Sequence, residues 1–428
     1  MEQEIVKDKI VFGLDIGTTK IVCLAGRLNE HGKLEVLGVG RSKSLGVKRG
    51  IVNNIMQTVE SINHAIAIVN KESSLNVNSV CTGIAGQHIR SLQHSDYIIR
   101  ENPEDFIDKK DIEKLHQNVK QLILLPGEEI IHVLAQEYKI DGQSNIRQPE
   151  GMYGSRLEAS FHIVAGQTAA IKNITRCVVT AGLQINALNL EPLASADAVL
   201  SAEEKEAGVV LVDIGGGTTD VAIFKDSIIR HTAVIPFGGN VITDDIREGC
   251  SIIQKDAELL KIKYGSAWPS ENRDSEIVSI PGLRGGDPKE ISCKNLSKII
   301  KARVEEIIAQ VYRQITSYGF QEGKNKLIAG IVLTGGGSQL KHIKQLTEYI
   351  TGMPTRIGYS NEHLAKGTAE EIFNPSYATS VGLVLRGLRV NNYEDIKGAN
   401  GPSDKPKKMD STFFEEWSKK FLKYLLNE

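Results

Sequence analysis

Apolar positions along the chain follow two periods, and the periods alternate. Residues 10–26, IVFGLDIGTTKIVCLAG, are two β-branched apolar runs around a turn of Asp, Gly and Thr. This is the pattern of a strand, a tight turn and a second strand. It returns at residues 209–224, VVLVDIGGGTTDVAIF. A third glycine turn, LTGGGSQL at 333–340, follows the strand-like IAGIVLT and precedes LKHIKQLTEYI, in which Leu340, Ile343, Leu346 and Ile350 keep helical spacing. That turn is expected to join a strand to a helix N-terminus. Helical spacing also predicts helices over 51–71, 111–124 and 297–318. Strands alternating with helices predict an α/β architecture.

DIGTT at 15–19 and DIGGGTT at 213–219 read as one hairpin used twice, with two extra glycines in the second copy. An internal repeat of this kind predicts two similar halves facing each other. From 391 to 410 the chain is rich in turn formers and charges, which predicts a flexible linker. Residues 411–428, STFFEEWSKKFLKYLLNE, are strongly aromatic in a chain with 5% aromatics.

The 428 residues suggest two to four folding units. Lys plus Arg is 51 against 53 Asp plus Glu, a balance that argues against nucleic acid as the main partner. The five cysteines form no CxxC pair and no metal-ligand spacing, which suits free thiols in a reducing compartment. The charged start of the chain predicts no secretory signal, and no apolar run reaches the ~18–20 residues of a membrane span. The expectation is a soluble cytoplasmic protein, with a reservation for the last eighteen residues.

A turn without β-carbons lets backbone N–H groups approach phosphate oxygens as an anion-binding nest. Thr18, Thr19, Thr218 and Thr219 add small hydroxyl donors, and Asp15 and Asp213 head the two turns where a carboxylate can hold Mg²⁺ through water. Two such hairpins face to face would clamp a polyphosphate, and the third turn would suit the sugar and base. There is no GxxxxGK[ST] P-loop, no G-x-G-x-x-G opening a helix after the first strand, and no protein-kinase loop set.

These motifs resemble those of the actin/hexokinase/DnaK-type chaperone superfamily. DIGTTK and DIGGGTTD resemble its two phosphate motifs, TGGGS at 334–338 its adenosine motif, and LEPLASADAV at 190–199 and SYATSVGLVL at 376–385 its two connecting helices. Within the superfamily, GIAGQHI (83–89), FHIVAG (161–166), PFGGNVITDDI (236–246) and AELLKIKYGSA (257–267) resemble the FtsA family of bacterial cell-division proteins. The stretch 268–292 departs from that likeness.

The resemblance implies an actin-like ATPase fold of two similar halves around a nucleotide cleft, plus a C-terminal amphipathic helix. Residues 1–85 with 166–205 and 376–390 would form domain I, and 86–165 an inserted subdomain, 1C. Residues 206–240 and 306–375 would form the core of domain II, and 241–305 its inserted subdomain, 2B. The linker would span 391–410 and the membrane helix 411–428. ATP and Mg²⁺ are the implied cofactors. Asp15 and Asp213 would organise Mg²⁺. Gly17, Thr18, Thr19, Lys20, Gly215, Gly216, Gly217, Thr218, Thr219 and Gly239 would bind the nucleotide's phosphate side. Glu258 and Lys261 would border adenine and ribose, Gly336, Gly337 and Ser338 would contact the adenosine, and Glu191 would orient the hydrolytic water. The implied activity is ATP binding with at most slow hydrolysis. The implied role is a filament at the division site that tethers FtsZ, recruits other division proteins and lies on the cytoplasmic face of the membrane. A small-molecule kinase of the same fold and a pilus-assembly actin-like protein are the alternatives.

Drawn as a helix, 411–428 gathers Phe413, Phe414, Trp417, Phe421, Tyr424 and Leu425 on one face, with lysines and glutamates on the remainder. Aromatics beside lysines suit an anionic bilayer interface. The family likeness also directs the FtsZ tail to a basic stripe of Lys294, Lys298, Lys301 and Arg303, with Lys298 and Arg303 as contact residues.

Overall fold

The computed structural model describes residues 9–273, 275–282, 287–320 and 326–389. The expected linker and amphipathic helix at 391–428 lie outside the described residues.

The chain opens with β1 (Val11–Ile16), β2 (Lys20–Leu28) and β3 (Leu34–Lys43), then a two-strand ribbon of β4 (Val47–Lys48) and β5 (Ile51–Val52). Helix α1 (Ile55–Ser73) follows, then β6 (Ser79–Ile84). Residues 51–52 are strand rather than the first turn of the expected helix. Asn54 caps α1 by accepting from the Gln57 N–H at 3.1 Å, which fixes where the helix begins. Next come β7 (Ile89–Ile99), α2 (Lys109–Lys120), β8 (Glu128–Ile140), β9 (Gln143–Ile146), β10 (Arg156–Gln167) and α3 (Thr168–Thr180). The chain then returns through β11 (Gln184–Leu190) to α4 (Glu191–Val199) and α5 (Ala202–Ala207).

The second half begins with β12 (Val209–Ile214), β13 (Thr219–Lys225) and β14 (Ile228–Ile235). Helices α6 (Gly239–Cys250) and α7 (Gln254–Tyr264) follow, then a ribbon of β15 (Ile277–Ile280) and β16 (Lys289–Ser292) leading into α8 (Cys293–Ser317). The stretch without a family likeness contains this ribbon. The half closes with β17 (Gly330–Thr334), α9 (Ile343–Thr351), β18 (Thr355–Ile357) and α10 (Ala378–Arg389).

The two main sheets have one topology. The first runs β3-β2-β1-β6-β11 and the second β14-β13-β12-β17-β18. In each, three strands form an antiparallel meander and two more join in parallel. β1 and β12 are central and covered on both faces, so VFGLDI and VVLVDI are almost continuously buried. A separate four-stranded antiparallel sheet, β7-β10-β8-β9, grows out of the first half between β6 and α3. Helix α2 packs on it over a core of its own, centred on Phe161, Leu157 and Leu115.

The third glycine turn does not open a helix. Gly336–Gln339 form one turn of 3-10 helix, and α9 starts at Ile343, after His342 adopts a left-handed conformation.

Candidate functional site

Register aligns the two hairpins differently from their sequences. In the first, Ile16 pairs with Ile21, leaving a four-residue turn of Gly17, Thr18, Thr19 and Lys20. In the second, Ile214 pairs with Thr219, leaving Gly215, Gly216, Gly217 and Thr218. The two turns are equally long. The extra glycines are absorbed by moving the Thr-Thr pair down the return strand, so Asp220 stands directly opposite Asp213, where the first hairpin has Val22 opposite Asp15.

The two turns meet tip to tip. A β-carbon on Gly216 would lie 2.3 Å from Thr19 Cγ2, and one on Gly217 would lie 2.6 Å from Thr18 Oγ1. The second position of each turn therefore faces the third position of the other. Only glycine on one side permits this approach while threonine occupies the other. Both turns line one cleft, together with Asp15, Glu191, Asp213, Asp220, Gly335 and Gly336.

Four carboxyls converge there. Asp15 and Asp213 end β1 and β12, Asp220 begins the return strand β13, and Glu191 opens α4. The three aspartates are buried. Burial raises Asp15 to about 6; Lys20 opposes the shift and Asp213 adds to it. Burial, then the charge of Asp213, pushes Asp220 up to about 8. Burial, with Asp15, Asp220 and Asp213 nearby, holds Glu191 well above the usual carboxylate range. Asp213 is also raised by burial, offset by the Ser195 hydroxyl, which donates to Oδ2 at 2.6 Å, and the Thr379 hydroxyl at 3.2 Å. Lys20 lies over the Tyr377 ring at 4.4 Å and donates to the Ser376 carbonyl. Burial brings its amine down to about 8.

This is a cluster of acids with too little positive charge. Asp220 Oδ1 is buried without a hydrogen-bond partner. Such an oxygen, among hard carboxylate donors, fits a divalent cation brought in with its ligand. Among the described residues no three His, Cys, Asp or Glu side chains form a ready-made metal cage. Mg²⁺ keeps several waters and takes phosphate oxygens as further ligands.

Other expected residues fall at different distances from the cleft. Thr219 is fully buried and its hydroxyl donates to the Phe237 carbonyl at 2.8 Å, so it does not line the cleft. Gly336 lines it; Ser338 is buried and donates to the Gly335 carbonyl at 2.8 Å within its own turn. Gly335 carries the constraint in that turn. Its φ is +79°, and a β-carbon there would lie 2.2 Å from Asp213 Oδ1. The N–H groups of Gly239 and Asn240, at the start of α6, donate to the Gly215 and Gly216 carbonyls at 2.8 Å. Glu258 and Lys261 pair at 2.7 Å, and the amine also reaches the Gly239 carbonyl at 2.9 Å and Thr243 at 2.7 Å. They thus brace α7 on α6 beside the second hairpin.

Sequence reasoning missed Asp220, Gly335, Ser195 and Thr379. Asp220 was visible as the last letter of DIGGGTTD. The two hydroxyls had no local signal, because they arrive from α4 and α10.

The basic stripe is only partly available. Lys298 is exposed on α8. Arg303 points elsewhere: its guanidinium holds the Asp245 carboxylate of α6 through two nitrogens, at 2.6 and 2.9 Å, and also pairs with Glu306. It is a brace between α6 and α8 rather than a free cation. No helix among the described residues is long and apolar enough to cross a membrane.

Comparison with known proteins agrees with the architecture. A family model described as cell division protein FtsA matches residues 210–382, and one described as an SHS2 domain inserted in FtsA matches residues 86–165. The chain is 39% identical to the cell division protein FtsA of Pseudomonas aeruginosa over 93% of its own length and 95% of that protein's. Among solved structures, a PilM-PilN type IV pilus biogenesis complex superposes with a TM-score of 0.63 at 16% identity, over 88% of this chain and 98% of that one. MreB5 of Spiroplasma citri bound to ADP gives 0.51 at 16% identity, over 90% and 96%. The structural neighbours establish an actin-like ATPase fold, and the identity to curated relatives goes further: the chain belongs to the FtsA family of cell-division proteins.

Proposed function

We propose that this division protein binds ATP with Mg²⁺ in the cleft between its two hairpins and uses the bound state as a switch for self-assembly. The observation that carries the reading is the meeting of two glycine turns above four carboxyls, three of them buried. The turns offer backbone N–H groups to phosphates, and the excess of acid calls for a cation. Asp15, Asp213 and Asp220 would hold Mg²⁺ through water, and the cation would neutralise charge on the phosphates. Lys20 adds a second positive charge from the first hairpin. Glu191 is in place to orient a water, and burial beside Asp15, Asp220 and Asp213 holds its carboxyl well above the usual carboxylate range.

The wider role follows from family and sequence. Filaments of this chain would hold the acidic tail of FtsZ at the exposed part of α8 around Lys298. The aromatic face at 411–428 would tie each copy to anionic lipid on the cytoplasmic side at the division site. One weak helix per copy binds reversibly, and many copies along a filament bind firmly through effective concentration.

Calorimetric titration with Mg·ATP tests the site. Asp213→Asn should weaken binding at least ~10-fold, about 1.4 kcal/mol. In parallel, the full chain should co-sediment with anionic liposomes and the chain lacking 411–428 should stay in solution. Wild-type affinity in Asp213→Asn would remove the nucleotide assignment. Unchanged sedimentation of the shortened chain would remove the tether.

A further inference from the structure

The inserted sheet touches both halves of the molecule, next to the cleft. On the first-half side, His132 of β8 is buried, and its Nε2 accepts the Leu190 N–H at 3.0 Å. That nitrogen therefore carries no proton. Leu190 is the N-cap of α4, its side chain makes no capping hydrogen bond, and Glu191 is the next residue. The first turn of α4 is thus positioned by a side chain of the insert. Gly83 leaves space for the Glu191 carboxyl: a β-carbon there would come within 2.9 Å of Oε1. Gly83 lies near the end of β6, the strand that leads into the insert.

On the second-half side, the insert grips β14 through a polar seam. Ser91 donates to the Thr232 carbonyl at 2.8 Å and Gln93 to the Arg230 carbonyl at 3.0 Å. His162 Nε2 bonds Thr232 Oγ1 at 3.0 Å, and Gln136 donates to the Ile229 carbonyl. β14 pairs directly with the cleft strand β13, Val234 standing opposite Asp220. Between the two grips lies a small void of about 10 Å³, bounded by Ile89, Leu190, Pro192 and Thr232. The void is lined mainly by apolar side chains, and the directional hold of the insert on β14 comes from these hydrogen bonds, most of them to backbone carbonyls.

We propose that the inserted sheet regulates the cleft, with His132 as the residue that positions Glu191. The proposal rests on the reading that the cleft holds nucleotide. Closure of the cleft moves β14 relative to α4, so it must move the insert or strain one of its two grips. By linkage, anything that shifts the insert alters the cleft to the same degree. His132 acts through the Leu190 amide and has no contact with nucleotide in this scheme.

Hydrogen–deuterium exchange on the full chain, with and without Mg·ATP, tests the proposal. In His132→Ala, amides at 190–194 should exchange about tenfold faster, the scale expected for one lost buried hydrogen bond. Mg·ATP should alter exchange in β8 of the wild type, and that response should vanish in His132→Ala. His132→Gln, whose amide oxygen can accept the same N–H, should restore protection and response. Calorimetric Mg·ATP affinity should stay within about threefold in both variants, since neither touches the ligand. Normal protection at 190–194 in His132→Ala overturns the proposal, and so does a β8 response that is absent from the wild type or persists in that variant. If His132→Ala also loosens α8, His132→Gln decides: wild-type protection at 190–194 with a normal α8 supports the role, and lost protection overturns it. If the wild type gives no calorimetric signal with Mg·ATP, the nucleotide reading fails separately, and the coupling proposal falls with it; the nucleotide-free exchange at 190–194 still reports on the His132 contact.

Discussion

At the tip of the first hairpin Gly17 is followed by Thr18, Thr19 and Lys20; at the tip of the second, Gly215 is followed by Gly216, Gly217 and Thr218. The backbones pair in the same register around equal turns. The first turn brings two hydroxyls and an amine, and the second brings one hydroxyl and otherwise bare backbone. The strands differ as well. Val22 stands opposite Asp15, whereas Asp220 stands opposite Asp213. The pair is therefore complementary rather than duplicated. Each hairpin heads its turn with an aspartate, but one adds cation and bulk, and its partner adds a second carboxylate and room. A cleft made from two copies of either hairpin would clash at the tips or lack a charge partner.

The largest expected effect comes from removing the acid that distinguishes the second hairpin. Asp220 has a folded pKa of about 8 against an ordinary 3.8, so the folded state prefers the protonated form. Its contribution is fully favourable below pH ~4 and is lost as pH rises through about 8. The ligand-free wild type should therefore lose stability across that window, and Asp220→Asn should flatten the profile. At pH 8 the variant should be the more stable protein by ~3–5 kcal/mol. It should also bind Mg·ATP at least ~10-fold more weakly. Urea unfolding at pH 5 and pH 8, beside calorimetry, checks both parts. Equal stability of the two proteins at pH 8 would mean that Asp220 is ionised at little cost, and that the hairpins differ less than their register suggests.

A second, smaller effect sharpens the tip-to-tip contact. Gly216→Ala places a β-carbon 2.3 Å from Thr19 Cγ2, which forces the turns apart. Mg·ATP affinity should fall about tenfold. Adding Thr19→Gly removes the opposing methyl, and the double variant should recover much of that loss. A double-mutant cycle should give a coupling of ~1 kcal/mol. Strict additivity would show that the turns do not meet in this way in solution.

The repeated hairpins, the acids that head them and the α/β alternation were legible because each is a local signal. Central strands are apolar throughout, and turns demand glycine. Register was not legible, since DIGTT and DIGGGTT align by letters one way and by pairing another. Thr218 and Thr219 therefore take the places of Lys20 and Ile21. The partners of Asp213 were out of reach too. Ser195 and Thr379 lie on α4 and α10, and only the packing of those helices brings them to one carboxylate. Arg303 illustrates the same limit at the surface. A run of basic residues on a helix reads as a stripe, but Asp245 on another helix has already taken one of its members.

Thr219 gives the smallest and most discriminating test of the comparison. By its letters it is a twin of Thr19 and a phosphate donor. By register it is the counterpart of Ile21, which is likewise fully buried. Its hydroxyl is spent on the Phe237 carbonyl, just ahead of the α6 N-terminus. Thr219→Val keeps the shape and removes that donor, leaving the carbonyl short of one hydrogen bond. The cost should be ~1 kcal/mol of stability, read as a small drop in urea midpoint. Mg·ATP affinity should stay within about twofold. Thr18→Val makes the contrast. Thr18 lines the cleft, and its Oγ1 accepts the Gly50 N–H at 3.1 Å. That variant should bind Mg·ATP several-fold more weakly and lose less stability than Thr219→Val. A reversed order, with Thr219→Val the weaker binder, would mean that the letters and not the register say which threonine faces the phosphates.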